Sequence, residues 1–287
     1  MRLGRHVAGM VLASLVAALM GSPASAAAPV RDDSKDETVI FVHGWNRNEN
    51  TNCAATWAPA MSLLRDRSEW TGPLVTWGFY GGDQNCTAKF AGDQDTSIDT
   101  LARSLATYIY DNYSRHGRSV DLVAHSMGGL IIRRAVSGTE RQDSGFPPYL
   151  YVEDAVTLAT PHLGTLVALL CNSLQCLQMQ SGSDFMDRIA RQAVNPQSAS
   201  GTDWSTLGSE SDLTVSEGSA IGMSSGHKYT YLTSANLSHD AIRRHDATTA
   251  TFDVRWLHAT GPRSGVDNNA RASLYIMANA LYYWRTW

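Results

Sequence analysis

Residues Val120 to Ala135 read VDLVAHSMGGLIIRRA. A largely apolar run stops at His125-Ser126-Met127, and a helical-looking stretch begins after two glycines. Small residues, Ala124 and Gly128, flank Ser126 at two positions before and two after. That spacing has a steric reason. A strand that turns at once into a helix brings those two positions together, where bulky side chains would clash. The corner serine is then strained, with its hydroxyl clear of the sheet edge. A hydroxyl so placed can attack an acyl carbon, and the Met127 amide at the helix start is aimed at the developing oxyanion. A second motif offers the other oxyanion donor. Thr38 to Asn46, TVIFVHGWN, ends an early strand in His43-Gly44-Trp45. Gly44 lets the backbone approach an acyl group closely, and the Trp45 amide is the expected donor. His43 reads as a structural hydrogen-bonding residue rather than a base.

A third motif, LATPHLGT at Leu158 to Thr165, follows the next strand. With these three motifs the sequence resembles the α/β-hydrolase superfamily, and more closely secreted bacterial lipases and esterases. The resemblance spans nearly all of 38–287 and is sharp at the motifs. It implies the α/β-hydrolase fold and the chain order serine, acid, histidine. The acid should follow the next-to-last strand, where Asp212 sits in a turn after Trp204–Leu207. Members of the family often show Asp-Gly-x-Val there. This chain has Asp212-Leu213-Thr214-Val215, without the glycine. Glu210 is the alternative acid, and Asp203, which precedes the strand, fits less well. The base should follow the last strand. His239 lies on a loop after Tyr229–Leu232 and before a helical stretch, with His245 on that stretch as the alternative. His227, His258 and His116 lack the context. The implied chemistry is acyl transfer through a covalent acyl-serine. His239 takes the proton of Ser126, Asp212 holds the imidazole tautomer, and the Met127 and Trp45 amides bind the oxyanion. Pro161 and His162 are expected to shape their loop, not to react. No metal motif is visible, and this mechanism needs no cofactor.

Those residues need elements to hold them. Apolar runs at Thr38–Val42, Leu74–Phe79, Val120–Ala124, Ala155–Leu158, Trp204–Leu207 and Tyr229–Leu232 predict strands, several of them buried on both faces. Between them, Trp57, Met61 and Leu64, and then Ile98, Leu101, Leu105 and Ile109, keep helical spacing. Gly117 is placed to end the second helix. Ala272, Ile276, Ala280 and Tyr283 predict a last helix. Alternation of this kind argues a mainly parallel sheet with helices on both faces, in one catalytic domain over 38–287. The stretch 164–203 lacks a strand signal until its end. It is apolar at Leu166, Val167, Leu169 and Leu170, and stands where this fold usually carries a cap over its acyl pocket.

The 287 residues are 43% hydrophobic and 17% charged, with net charge −4, enough for a sizeable core and without the basic patch that nucleic-acid binding requires. Residues 1–26 show two early arginines, an apolar run Val7–Met20 and Ala24-Ser25-Ala26. This is the layout of a secretory signal peptide, cleaved after Ala26 or Ala28. The run is shorter than the ~20 residues of a spanning helix, which disfavours a retained anchor. Residues 27–37 are polar and expected to be flexible. The expected location is extracellular, with no transmembrane segment after cleavage. Four cysteines in an exported chain suggest two disulfides, for which three pairings exist. Sequence proximity favours Cys53–Cys86 and Cys171–Cys176, and the absence of a C-x-x-C pair disfavours zinc. The expected function is hydrolysis of carboxylic esters, with lipid acyl esters as substrates and transient contact with lipid interfaces. An acyltransferase or thioesterase would use the same triad. A non-catalytic binding protein on this scaffold is the rival from another class.

Overall fold

A computed structural model describes residues 29–32, 34–190, 201–259 and 264–283. The leader expected at 1–26 and part of the insertion, 191–200, lie outside the described residues. The strands are β1 (Thr38–Val42), β2 (Leu74–Tyr80), β3 (Ala88–Gly92), β4 (Val120–His125), β5 (Val152–Leu158), β6 (Asp203–Ser209), β7 (His227–Tyr231), β8 (Phe252–His258) and β9 (Ser264–Ala270). They form one sheet in the order β3-β2-β1-β4-β5-β6-β7-β8-β9. β3 to β7 run parallel, whereas β8 and β9 add an antiparallel ribbon at one edge. The helices are α1 (Cys53–Asp66), α2 (Ile98–Asn112), α3 (Met127–Glu140), α4 (Leu174–Met179), α5 (Asp184–Ala190), α6 (Glu217–Ala220) and α7 (Ser273–Ala280). This is the α/β-hydrolase architecture that the motifs imply.

The sheet has a core on each face, and the two-residue period of β1 shows how one strand feeds both. Val39 and Phe41 join Trp57, Leu63 and Leu64 of α1 and Leu274 and Met277 of α7. Ile40 and Val42 join Leu101, Leu105 and Ile109 of α2 and Leu130 and Ile131 of α3. Each such aliphatic side chain, fully buried, contributes about 1.5–3 kcal/mol. α1 and α2 begin where side chains cap them. Asn52 accepts from the Ala55 amide and Ser97 from the Thr100 amide.

Several expectations are corrected. Three strands, β3, β8 and β9, carry no apolar run long enough to announce them. Tyr229 is therefore not on the last strand but on the last parallel one, His227–Tyr231, which starts two residues and ends one residue earlier than expected. The helical stretch after His239 is a single 3-10 turn, Ala241–Arg243. The described part of 27–37 makes contacts with the domain. Arg31 Nη1 lies 2.9 Å from Asp154 Oδ1, both side chains buried. The Glu37 carbonyl accepts from the Trp70 indole at 2.9 Å. Both cysteine pairs favoured by proximity are bonded, Cys53–Cys86 and Cys171–Cys176.

Candidate active site

The site forms at the carboxyl ends of the parallel strands. Ser126 follows β4 directly and precedes α3, with φ 55° and ψ −132°. This is a strained conformation for a residue with a Cβ. The surroundings enforce it. The Ser126 amide donates to the Leu158 carbonyl at 2.9 Å, and its own carbonyl accepts from Gly129 at 3.0 Å. A Cβ on Gly128 would stand 2.4 Å from the His43 carbonyl and 2.5 Å from that of Val42. The elbow packs against the end of β1 so closely that only glycine fits. A Cβ on Gly44 would likewise meet the Ser126 Cβ at 2.7 Å.

The His239 Nε2 atom lies 3.0 Å from Ser126 Oγ, and its Nδ1 lies 2.7 Å from Asp212 Oδ2. Asp212 follows β6, its carboxylate almost wholly buried, with the other oxygen accepting from the Thr214 amide at 2.7 Å and the Val215 amide at 3.0 Å. Both carboxylate oxygens thus have hydrogen-bond partners. A carboxylate can only accept, so Nδ1 carries the imidazole proton and Nε2 is left to accept from the serine hydroxyl. The missing glycine of the family pattern also has an explanation. Leu213 is 94% exposed and does not adopt a positive φ, so this turn has no need of glycine.

The alternatives point elsewhere. Glu210 faces Thr233 and Arg255. Asp203 stands at the start of β6 beside His227. His245 rests its ring on Phe252, and the His227–His258 pair lies beside Asp203, where β6 begins and β8 ends.

Met127 is the first residue of α3, so its N–H has no intrahelical partner. Among the described residues the Trp45 amide also meets no protein acceptor. Met127 follows the serine directly and Trp45 lines the cavity over it, so both amides are candidate oxyanion donors. His43 shapes this loop. Its Nδ1 lies 2.7 Å from the Gly44 carbonyl and its Nε2 lies 2.8 Å from Asp83 Oδ2, while its ring stacks on Phe79. Burial alone would raise the Asp83 carboxyl, but His43 and the Tyr80 and Thr51 amides outweigh it and hold the group below the usual range. A cavity of about 300 Å³ opens over Ser126, lined by Gly44, Trp45, Arg47, His239 and Arg243.

Two residues near the site were not singled out from the sequence. Arg133 of α3 is buried, with Nη2 donating to the Ile189 carbonyl at 3.0 Å and Nη1 to that of His162 at 3.3 Å. Burial lowers its pKa to about 10. It ties the Thr-Pro-His loop to the end of α5, and His162 is enclosed between Arg133 and Thr157. The second is His125, whose Nε2 lies 2.9 Å from the His239 carbonyl oxygen. Its position inside the elbow motif was the one available signal.

A family model described as Putative serine esterase (DUF676) matches residues 32–201, more than half of the chain. The chain belongs to this serine esterase family. The match contains the elbow and the His-Gly turn but ends before Asp212 and His239. Membership places the chain among esterase-type hydrolases. No curated protein sequence matches it. Among solved structures, the chain is similar to the lin2722 gene product of Listeria innocua, with 12% identity over 88% of this chain and 96% of that one, TM-score 0.51. It is similar to Aspergillus fumigatus lipase B, with 16% identity over 72% of this chain and 49% of that one, TM-score 0.50. Legionella pneumophila phospholipase PlaB also matches, with 19% identity and TM-score 0.45 over 60% of this chain, which spans only 37% of PlaB. At these identities the likeness is one of fold.

Proposed function

We propose that this member of the serine esterase family hydrolyses carboxylic esters through Ser126, His239 and Asp212, that its substrates are lipid acyl esters, and that it works outside the cell. The observation that carries the reading is the unbroken line from Asp212 Oδ2 through His239 to Ser126 Oγ, 2.7 and 3.0 Å. The hydroxyl gives its proton to Nε2 as it attacks the acyl carbon. The imidazolium then gives that proton to the departing alcohol. Water repeats the sequence to release the acid, with His239 again as base. The Met127 and Trp45 amides hold the oxyanion in both halves, and losing one such donor typically costs about 3–4 kcal/mol of barrier.

The lipid reading rests on what surrounds Asp212. A cavity of about 550 Å³ there is lined by Leu163, Leu166, Val167 and Leu213. Exposed large apolar side chains concentrate on the same side. Leu166 is 76% and Leu170 79% exposed, with Leu169, Leu174 and Leu177 beside them. The Cys171–Cys176 disulfide closes the short loop that carries Leu174 and follows directly on Leu170. Exposed apolar area of this kind is unusual on a soluble surface unless something apolar covers it, and an acyl chain or lipid interface does so. We assign 164–203 as the cap on this basis. Two disulfides suit an oxidising compartment, and among the described residues no helix is long and apolar enough to cross a membrane.

The test combines one substitution with one substrate series. Ser126→Ala should lower kcat by about 10⁶-fold with unchanged circular dichroism, and should lose labelling by a fluorophosphonate. Activity should rise with acyl length and be higher on emulsified than on dissolved esters. Full activity in the alanine variant would overturn the triad. A flat chain-length series would overturn the lipid assignment alone, and preferential capture of the acyl group by an added alcohol would make the protein an acyltransferase.

A further inference from the structure

The candidate triad draws its members from parts of the chain that differ in rigidity. Ser126 is fixed by the sheet. His239 sits on a loop between β7 and β8, and the backbone hydrogen bonds beside it are local, from Ala241 and Ile242 to the Ser238 carbonyl. The loop is tied to the rest of the molecule at several points, among them α7, where Ser273 Oγ donates to the Ile242 carbonyl at 2.6 Å and the Leu274 amide to the His245 carbonyl at 3.1 Å. Leu237 and Ile242 are buried beneath it. Arg243 Nη1 donates to the Thr56 carbonyl of α1 at 2.9 Å. The tie nearest the reacting atoms is His125, the last residue of β4, whose Nε2 meets the backbone oxygen of His239 itself at 2.9 Å. We infer that His125 is a positioning residue, which uses its imidazole N–H to hold the His239 backbone so that the neighbouring imidazole faces Ser126. The inference rests on the triad reading given above.

Three observations converge on this role. First, the anchor is stiff. His125 pairs with Leu158 in the β4–β5 register and is only 5% exposed, so its ring cannot drift. Second, the chemistry is one-directional. A carbonyl oxygen only accepts, so Nε2 must carry a proton, and in the neutral ring Nδ1 then carries none. Third, the charge is right. Burial, with the neighbouring His239 and Arg243 adding to it, pushes the His125 imidazole well below its ordinary range. The ring stays neutral when the proton of Ser126 arrives on His239, whose ring centroid lies 4.7 Å away. A second imidazolium there would oppose that transfer. A 1 Å misplacement of a reacting group can cost about 10²-fold, so a single donor that fixes the base is worth a residue inside the elbow.

The test is a pair of substitutions read against Ser126→Ala. His125→Leu removes the donor and keeps a buried apolar group. His125→Gln places an amide N–H near the lost Nε2 position. The expected result is a 10- to 100-fold loss of kcat in the leucine variant with KM nearly unchanged, and recovery of most of kcat in the glutamine variant. The far-downfield proton of the His239–Asp212 hydrogen bond should broaden or vanish in the first and return in the second. Nitrogen-15 spectra of the unmodified protein should show His125 as the neutral Nε2–H tautomer across the active pH range. That measurement decides the matter even if the leucine variant fails to fold. Wild-type kcat in His125→Leu, a glutamine variant no better than leucine, or the Nδ1–H tautomer would overturn the positioning role. An active Ser126→Ala would instead overturn the triad reading itself.

Discussion

The parallel strands bury ionisable groups at both ends, and the two ends handle them in opposite ways. At the carboxyl end, Asp212, His239 and Ser126 form a line in which each donor has its own acceptor, with two backbone amides on the spare carboxylate oxygen. At the amino end, Glu37, Asp121, Glu153, Asp154 and Asp203 crowd together beside Arg31. Ser119 shows how the second end copes. Its Oγ lies 2.5 Å from Glu37 Oε1 and 2.9 Å from Glu153 Oε1. One hydroxyl proton cannot serve two acceptors, so one carboxyl must be the donor and keep its own proton. Burial, with the neighbouring carboxylates, raises Glu37 to about 8, and burial raises Asp154 to about 7 in spite of Arg31. The Asp121 carboxyl is pushed well above its usual range for the same first reason. The same burial that lines up a mobile proton at one end retains protons as structural glue at the other. What separates them is that carboxyls crowd one another at the amino end, whereas Asp212 meets donors on both of its oxygens.

This contrast can be broken or sharpened by experiment. Asp212→Asn should leave the fold intact and lower kcat by about 10⁴-fold, since the amide no longer fixes the productive tautomer. A steady-state assay at matched folded concentration reads this, and a loss below tenfold would place the orienting carboxylate elsewhere. Arg31→Ala should act on the other end alone. Removing one partner of a buried ion pair costs about 3–5 kcal/mol, to be seen as a lowered unfolding midpoint in urea, with kcat per folded molecule unchanged. A parallel fall in kcat would show that the two ends are coupled.

The smallest effect is the dependence of stability on pH. Glu37 and Asp154 have folded-state pKa values raised above the ordinary 4.3 and 3.9, so the folded protein binds more protons than the unfolded one. Their contribution is full below about pH 4 and is lost as pH rises through about 7 to 8. Asp83 and Glu210, both held low, act with the opposite sign and remove stability as pH falls below about 4. Thermal midpoints should therefore peak in mildly acidic solution and decline towards pH 8, and Glu37→Gln should flatten that decline. An unchanged slope in this variant would mean that Glu37 is already ionised in the fold.

Much of the candidate site could be read in advance because its constraints are local. Ala124, Ser126 and Gly128 lie within five residues, so their spacing is visible in the sequence, although the contact of Gly128 with Val42 and His43 that enforces it crosses to β1. The edge strands were hidden for the opposite reason. β9 reads SGVDNNA, a segment poor in strand formers. It is extended because β8 supplies a ladder to pair with. β3 alternates between partial and full exposure, so no apolar run marks it.

Taken alone, the order of residues determined the elbow, the two glycine turns, the alternation of buried strands and hence the fold class, because backbone sterics and side-chain period act within a few residues. Only the tertiary structure decided that Asp212 rather than Glu210 meets His239, that His125 reaches the carbonyl of that residue 114 positions away, and that Arg31 lies among carboxylates under the sheet. Those outcomes depend on which strand ends converge, and convergence is set by the packing of two cores that no single segment contains.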